Sequence, residues 1–121
     1  MTKLAYAMVF VSDMKRSIAF YRDLLGLPLK FESPGWTEFA TEGTTLALHK
    51  ASAPNADSDA ARNPAGRCRL GLHVPSLDAL HQKMTAHGVR CVQPPTMQDF
   101  GARLSIYADP DGLPITFAES R

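Results

Sequence analysis

Three side chains in this 121-residue sequence carry the donor types of a two-histidine, one-carboxylate metal set: His49, His73 and Glu38. Both imidazoles fall near the ends of strand-like runs, where solvation or hydrogen bonding is the commoner fate of a histidine, so no metal site is expected from them. Arg69 and Arg103 could hold an anionic or carbonyl-rich group through forked hydrogen bonds. Phe10, Trp36 and Tyr107 could offer flat apolar contact to a planar ligand. His81 sits on the outer side of a predicted helix, and His87 directly precedes that helix's terminal glycine, where an imidazole complements the helix dipole. No glycine-rich phosphate loop, nucleophile elbow or Ser/His/Asp order occurs. Cys68 and Cys91, with no CxxC or Cys/His cluster, are expected as buried, reduced thiols rather than a disulfide or zinc site.

These side chains need elements to position them. Tyr6 to Val11 is a β-rich run, Ser12-Asp13 a cap, and Met14, Ile18, Tyr21 and Leu25 recur at the spacing of one helix face that ends at Gly26. Strands are predicted at 28–32, 36–41 and 44–49, separated by Pro34-Gly35 and Glu42-Gly43. The same order then returns: a strand at 69–74, a helix at 76–87 ended by Gly88, and strands at 89–92, 103–108 and 113–118. Adding 63 to Tyr6, Val9, Val11 and Met14 gives Arg69, Leu72, Val74 and Leu77, which keeps strand-face and helix-face character. Such self-similarity implies two copies of one structural unit. The expected fold class is α+β: two βαβββ modules, 1–49 and 69–121, forming mixed sheets around a cavity within a single domain. A segment at 50–68, rich in Ala, Asn, Asp, Ser and Pro, reads as a linker or a flap.

Alternation sorts each strand into two faces. Val9, Val11, Leu46, Leu48, Leu70, Leu72, Val74, Leu104, Ile106, Ile115 and Phe117 form an apolar set expected to pack under the helices. The opposite set holds Tyr6, Phe10, His49, Arg69, His73, Arg103, Ser105, Tyr107 and Thr116. Trp36 and Glu38 join it if Phe39 faces a helix. A face mixing aromatic rings with a few charged and hydrogen-bonding groups suits a small-molecule cavity.

A hydrophobic fraction of 45% and a charged fraction of 21% describe a compact globular chain. A net charge of +1 without a basic run excludes nucleic acid as an expected partner. The longest amino-terminal apolar stretch, about Leu4 to Val11, is far short of the roughly twenty residues that span a bilayer, so no membrane association is expected. Without the flanks of a signal peptide, the expected location is cytoplasmic.

Val9-Phe-Val-Ser-Asp13, Arg16-Ser-Ile-Ala-Phe-Tyr21, Leu25-Gly-Leu27 and Asp109-Pro-Asp-Gly112 together resemble the vicinal-oxygen-chelate superfamily across nearly the whole chain. That superfamily includes glyoxalase I, extradiol dioxygenases and the metal-free bleomycin-resistance proteins. In its metal-dependent members the ligands lie on the cavity face of the first and last strands of each half. The resemblance places Tyr6, Ala47, Arg69 and Thr116 at those positions, and none of them makes an ordinary ligand set. It therefore implies a metal-free small-molecule-binding protein with no cofactor, holding an aromatic or anionic ligand. The alternatives are a glyoxalase-like lyase or isomerase with a rearranged metal site or metal-free acid/base residues, and a non-catalytic regulatory or interaction module. Family members often pair, which makes a homodimer the expected assembly.

Overall fold

The structure, a computed structural model, describes Leu4, residues 6–51 and residues 68–119. The chain divides into two compact units, the first running to Ala56 and the second from Asp57. Most of the 50–68 segment lies outside the described residues.

In the first unit β1 (Tyr6–Val11), β2 (Leu29–Glu32), β3 (Trp36–Phe39) and β4 (Thr45–Lys50) form a sheet of order β1-β4-β3-β2. β1 runs parallel to β4, and the other pairs are antiparallel. Helix α1 (Met14–Ile18) starts where the Asp13 carboxylate accepts the Arg16 N–H at 3.1 Å. The predicted single α-helix to Gly26 is not what forms. Residues Ala19–Leu24 continue as a π-helix, with Leu25 N–H donating to the Phe20 carbonyl at 3.1 Å. The wider turn accompanies burial of the consecutive rings of Phe20 and Tyr21, together with Met14, Ser17 and Ile18. Tyr21 meets Phe39 across the core, with ring centroids 6.1 Å apart. Val9, Val11, Leu46 and Leu48 are also buried, as the strand alternation requires. Complete burial of Phe39 alone is worth about 2–3 kcal/mol.

The second unit repeats the topology. β5 (Leu70–Val74), β6 (Cys91–Met97), β7 (Arg103–Ala108) and β8 (Pro114–Glu119) order as β5-β8-β7-β6, with β5 parallel to β8. Ser76 caps α2 (Leu77–Ala86) by accepting the Ala79 N–H at 3.1 Å, at the position that Asp13 holds in the first unit. Gly26 and Gly88 end the two helical segments with φ of 74° and 68°, a conformation that disfavours any residue with a Cβ. Leu77, Leu80 and Met84 of α2 are buried. The His87 Nδ1 sits 2.8 Å from the Lys83 carbonyl at the helix end.

Strand β6 is longer than the predicted 89–92 and contains Pro94 and Pro95. It is an edge strand with two register shifts, between Cys91 and Gln93 and between Gln93 and Thr96, a setting that tolerates residues lacking an N–H donor. The cysteines also depart from expectation. Cys68 and Cys91 are free but exposed, because Cys68 precedes β5 and Cys91 opens the edge strand.

Candidate functional site

Each sheet has one face toward its helix and one open face. In the first unit the strand registers settle which residues share the open face. Phe10 lies opposite His49, His49 opposite Trp36, and Glu38 opposite Ala47 and Phe31. Since Phe39 points at Tyr21 in the helical segment, Trp36 and Glu38 must point the other way. Tyr6, Phe10, Trp36, Glu38 and His49 are therefore brought together on one face.

The rings form a connected set. Tyr6 meets Trp36 edge to face at 5.6 Å, Trp36 meets His49 at 5.9 Å with planes 90° apart, and His49 meets Phe10 at 5.3 Å. The two edge-to-face contacts suit ring quadrupoles, and with the tilted His49–Phe10 pair they hold the rings in place. The rings nonetheless stay accessible: Tyr6 is 50% exposed, Phe10 60% and neighbouring Phe31 54%. Polar contacts fix the remainder. The Trp36 indole N–H donates to Glu38 Oε2 at 2.8 Å. The His49 Nδ1 lies 2.7 Å from the Lys50 carbonyl, which can only accept, so Nδ1 carries a proton and Nε2 is left as the other ring position.

In the second unit Arg69, Gly71, His73, Thr116 and Ala118 share the open face of β5 and β8. The Arg69 guanidinium donates to the Thr116 hydroxyl at 3.3 Å. Gly71 and His73 are exposed, and a methyl group at Gly71 would meet nothing within 4 Å.

Arg103, Ser105 and Tyr107 are not on that face, which corrects the sequence-based assignment. β7 pairs with β8 so that Ser105 lies opposite Phe117 and Tyr107 opposite Ile115, and these partners form the helix-side core. Tyr107 is fully buried, and its hydroxyl is 2.7 Å from His81 Nδ1 on α2. Burial holds the Tyr107 phenol above its ordinary pKa. Partial desolvation raises the thiol of Cys91, an otherwise exposed side chain and the β6 partner of Tyr107. Arg103 is clamped between Asp78 at the start of α2, at 3.2 and 3.4 Å, and Glu119 at the end of β8. Its hydrogen bonds to these two carboxylates raise the pKa of its guanidinium above the ordinary value. The outer face instead receives Leu104 and Ile106, the two residues expected beneath the helix. His81, expected on the outer side of its helix, is half-buried and bound to Tyr107.

Two residues of the first open face escaped the sequence reading. Lys30 donates to Thr45 Oγ1 at 3.0 Å and lies 3.7 Å from Glu38 Oε1, and Phe31 sits beside it opposite Glu38. A register shift between Leu29 and Phe31 puts both on one side, and no residue type at these positions announces it.

Residues 3–117 match the model of the Glyoxalase/Bleomycin resistance protein/Dioxygenase superfamily. The chain belongs to this superfamily. A superfamily member from Sphaerobacter thermophilus DSM 20745 is similar at 26% identity and a TM-score of 0.76, covering 99% of this chain and 98% of that one. A protein of unknown function from Agrobacterium tumefaciens str. C58 is similar at 28% identity and a TM-score of 0.76, over 100% of this chain and 95% of that one. TioX from Micromonospora sp. ML1, at 18% identity and a TM-score of 0.75, covers 98% of each chain and shares the fold. A search among curated proteins finds no match.

Many proteins of this fold hold a divalent ion, so the donor chemistry at the equivalent positions decides whether one fits. It does not. Ala47 offers no donor atom, and Arg69 is a permanent cation whose guanidinium already engages Thr116. Glu38, the nearest carboxylate to the first unit's rings, is committed to the Trp36 indole and faced by the Lys30 ammonium. Among the described residues no group of three or more His, Cys, Asp or Glu could hold a metal ion. No helix among them is long and apolar enough to cross a membrane.

Proposed function

We propose that this chain is a metal-independent binding protein that holds a planar aromatic small molecule against the open face of β1, β3 and β4. One observation carries the proposal: the connected, half-exposed ring set Tyr6, Trp36, His49 and Phe10. A face evolved only for solvent would spend its positions on charges, and a face evolved only for core would be covered. Rings already fixed by their neighbours lose little side-chain entropy when a flat ligand stacks on them. Superfamily membership supports the proposal, because the fold accommodates metal-free binders as well as enzymes.

An anionic ligand has less support than the two arginines suggested. Two arginines had suggested an anion, but Arg103 is held on the helix side by Asp78 and Glu119. The charged groups near the rings are instead Lys30 and Glu38, one of each sign.

Trp36 is the sole tryptophan, so its indole N–H gives a single NMR signal that reports directly on the ring set. Titration with planar aromatic compounds should shift that signal, and Trp36→Ala should weaken binding by about 2 kcal/mol or more, the scale of a buried aromatic anchor. Titration with nickel, zinc and manganese should find no stoichiometric ion. Tight metal binding lost on substitution of His49 or His73 would refute the metal-independent reading, and failure of every aromatic compound to move the Trp36 signal would refute the binding reading.

A further inference from the structure

Strict alternation would send Lys30 and Phe31 to opposite faces of β2. Instead Leu29 lies opposite Phe39 while Phe31 lies opposite Glu38, so one extra residue is accommodated on β2. A bulge of this kind re-aims a side chain. Here it leaves Lys30 and Phe31 on the same open face, and the Lys30 ammonium reaches Thr45 Oγ1 at 3.0 Å, Thr45 being the β4 partner of Tyr6. The ammonium then stands 3.7 Å from Glu38 Oε1, while Glu38 Oε2 accepts the Trp36 indole N–H. A donor and an acceptor therefore lie side by side at the edge of the indole plane. Both are reachable, with side chains 45% and 32% exposed.

The bonding capacity of the pair is not used up. An ammonium has three N–H donors and Thr45 takes one, while a carboxylate has about four acceptor positions and the indole takes one. The charges of the pair cancel. A ligand with a full charge would gain from one member and lose against the other, because both would lie within the Debye length of about 8–10 Å. A neutral dipolar group gains from both. We infer that the aromatic ligand carries a carboxamide or lactam edge, whose carbonyl accepts from Lys30 Nζ and whose N–H donates to Glu38 Oε1. This inference rests on the stacking proposed above and assigns Lys30 and Glu38 as the residues that set specificity.

The full chain should be titrated with three compounds of one ring system, 2-naphthamide, 2-naphthoate and 2-acetonaphthone, followed by the Trp36 indole N–H signal. The amide should bind about tenfold more tightly than the acid or the ketone, the scale of one charge-assisted hydrogen bond. Glu38→Gln should remove most of the amide's advantage over the ketone and leave ketone affinity within about threefold, since a glutamine carbonyl can still accept the indole N–H, whereas Lys30→Met should weaken amide and ketone together by about tenfold, because both carbonyls accept from Lys30 Nζ. Equal binding of the three compounds, or preference for the acid, would overturn the inference while leaving the stacking intact. An amide preference over the ketone that persists in Glu38→Gln, or amide and ketone affinities untouched by Lys30→Met, would overturn the assignment to Lys30 and Glu38. No response of the Trp36 signal to any of the three would overturn both the inference and the stacking on which it rests.

Discussion

Tyr107→Phe separates the two possible roles of this residue, ligand contact and core anchor. The substitution removes one oxygen atom that sits 2.7 Å from His81 Nδ1 and leaves the ring between Ile115, Phe117 and α2. No large cavity forms, so the cost is the net value of one hydrogen bond, about 1 kcal/mol. His81 is only half-buried, so water can replace the lost hydroxyl and the larger penalty of an orphaned buried group does not apply. With a urea m-value of about 2 kcal/mol per M, the midpoint should fall by about 0.5 M. A second readout comes from pH. The folded state holds the Tyr107 phenol above the ordinary value, so at high pH the native state keeps a proton that the unfolded chain has released. Stability should therefore fall as pH rises above about 10, by up to about 1.4 kcal/mol per pH unit from this group, and Tyr107→Phe should lack that component. Equilibrium urea unfolding of both proteins at pH 7 and pH 10.5 measures the difference. Unchanged stability at both values, with loss of binding to the aromatic probes, would return Tyr107 to a ligand face and refute the register of β7 against β8.

Further outcomes follow from other contacts. Asp109 is buried and its Oδ1 accepts the N–H groups of Asp111 and Leu113, each at 2.9 Å, so Asp109→Ala should cost about 2–3 kcal/mol by chemical denaturation; a loss below about 0.5 kcal/mol would show the turn to be indifferent to its carboxylate. The buried Thr37 hydroxyl has no hydrogen-bond partner among the described residues, so Thr37→Val should leave stability unchanged or raise it by up to about 1 kcal/mol, and a clear loss would reveal a hidden partner. Arg103→Met should lower the melting temperature at low salt by freeing the start of α2 from the end of β8, and the difference should shrink in about 1 M salt if ion pairing is the cause. Gly26→Ala forces a methyl group into a φ of 74° and should cost about 1 kcal/mol, whereas the exchange would be harmless if the helical segment ended elsewhere.

The sequence disclosed the fold through repetition. Tyr6 to Met14 and Arg69 to Leu77 share a pattern, and the structure returns two sheets of the same strand order, with caps at Asp13 and Ser76. What alternation could not reveal in β7 was which of two sets faced the helix. In Arg103-Leu-Ser-Ile-Tyr-Ala108 the purely aliphatic set, Leu104 and Ile106, looked like core, whereas the second sheet places aliphatic side chains on both of its faces. The deciding signal was present in the hairpin. If Asp109 and Leu113 close the turn, Ser105 must fall opposite Phe117, because antiparallel partners keep a constant sum of residue numbers. Applied to the first unit, the same rule pairs Phe39 with Leu46 and sends Trp36 and Glu38 outward. Tyr107 therefore stands in its sheet as Phe39 stands in its own, and Ser105 as Thr37, so the repeat itself argued for burying the tyrosine.

Lys30 is the opposite case. That it shares the open face with Phe31 depends on a slip between β2 and β3 that leaves no mark in residue type, since Leu29-Lys-Phe-Glu32 alternates as an ordinary strand would. A single extra residue there puts Phe31 opposite Glu38, on the face where Lys30 meets Glu38 and Thr45. Beside the rings of the first unit Lys30 and Glu38 form a balanced pair, while Arg103 is held on the helix side and Arg69 stays on the open face of the second unit. Charge counts taken from a strand pattern are thus only as good as the register beneath them. With Arg103 on the helix side, the Lys30–Glu38 pair favours a dipolar ligand edge over an anionic one.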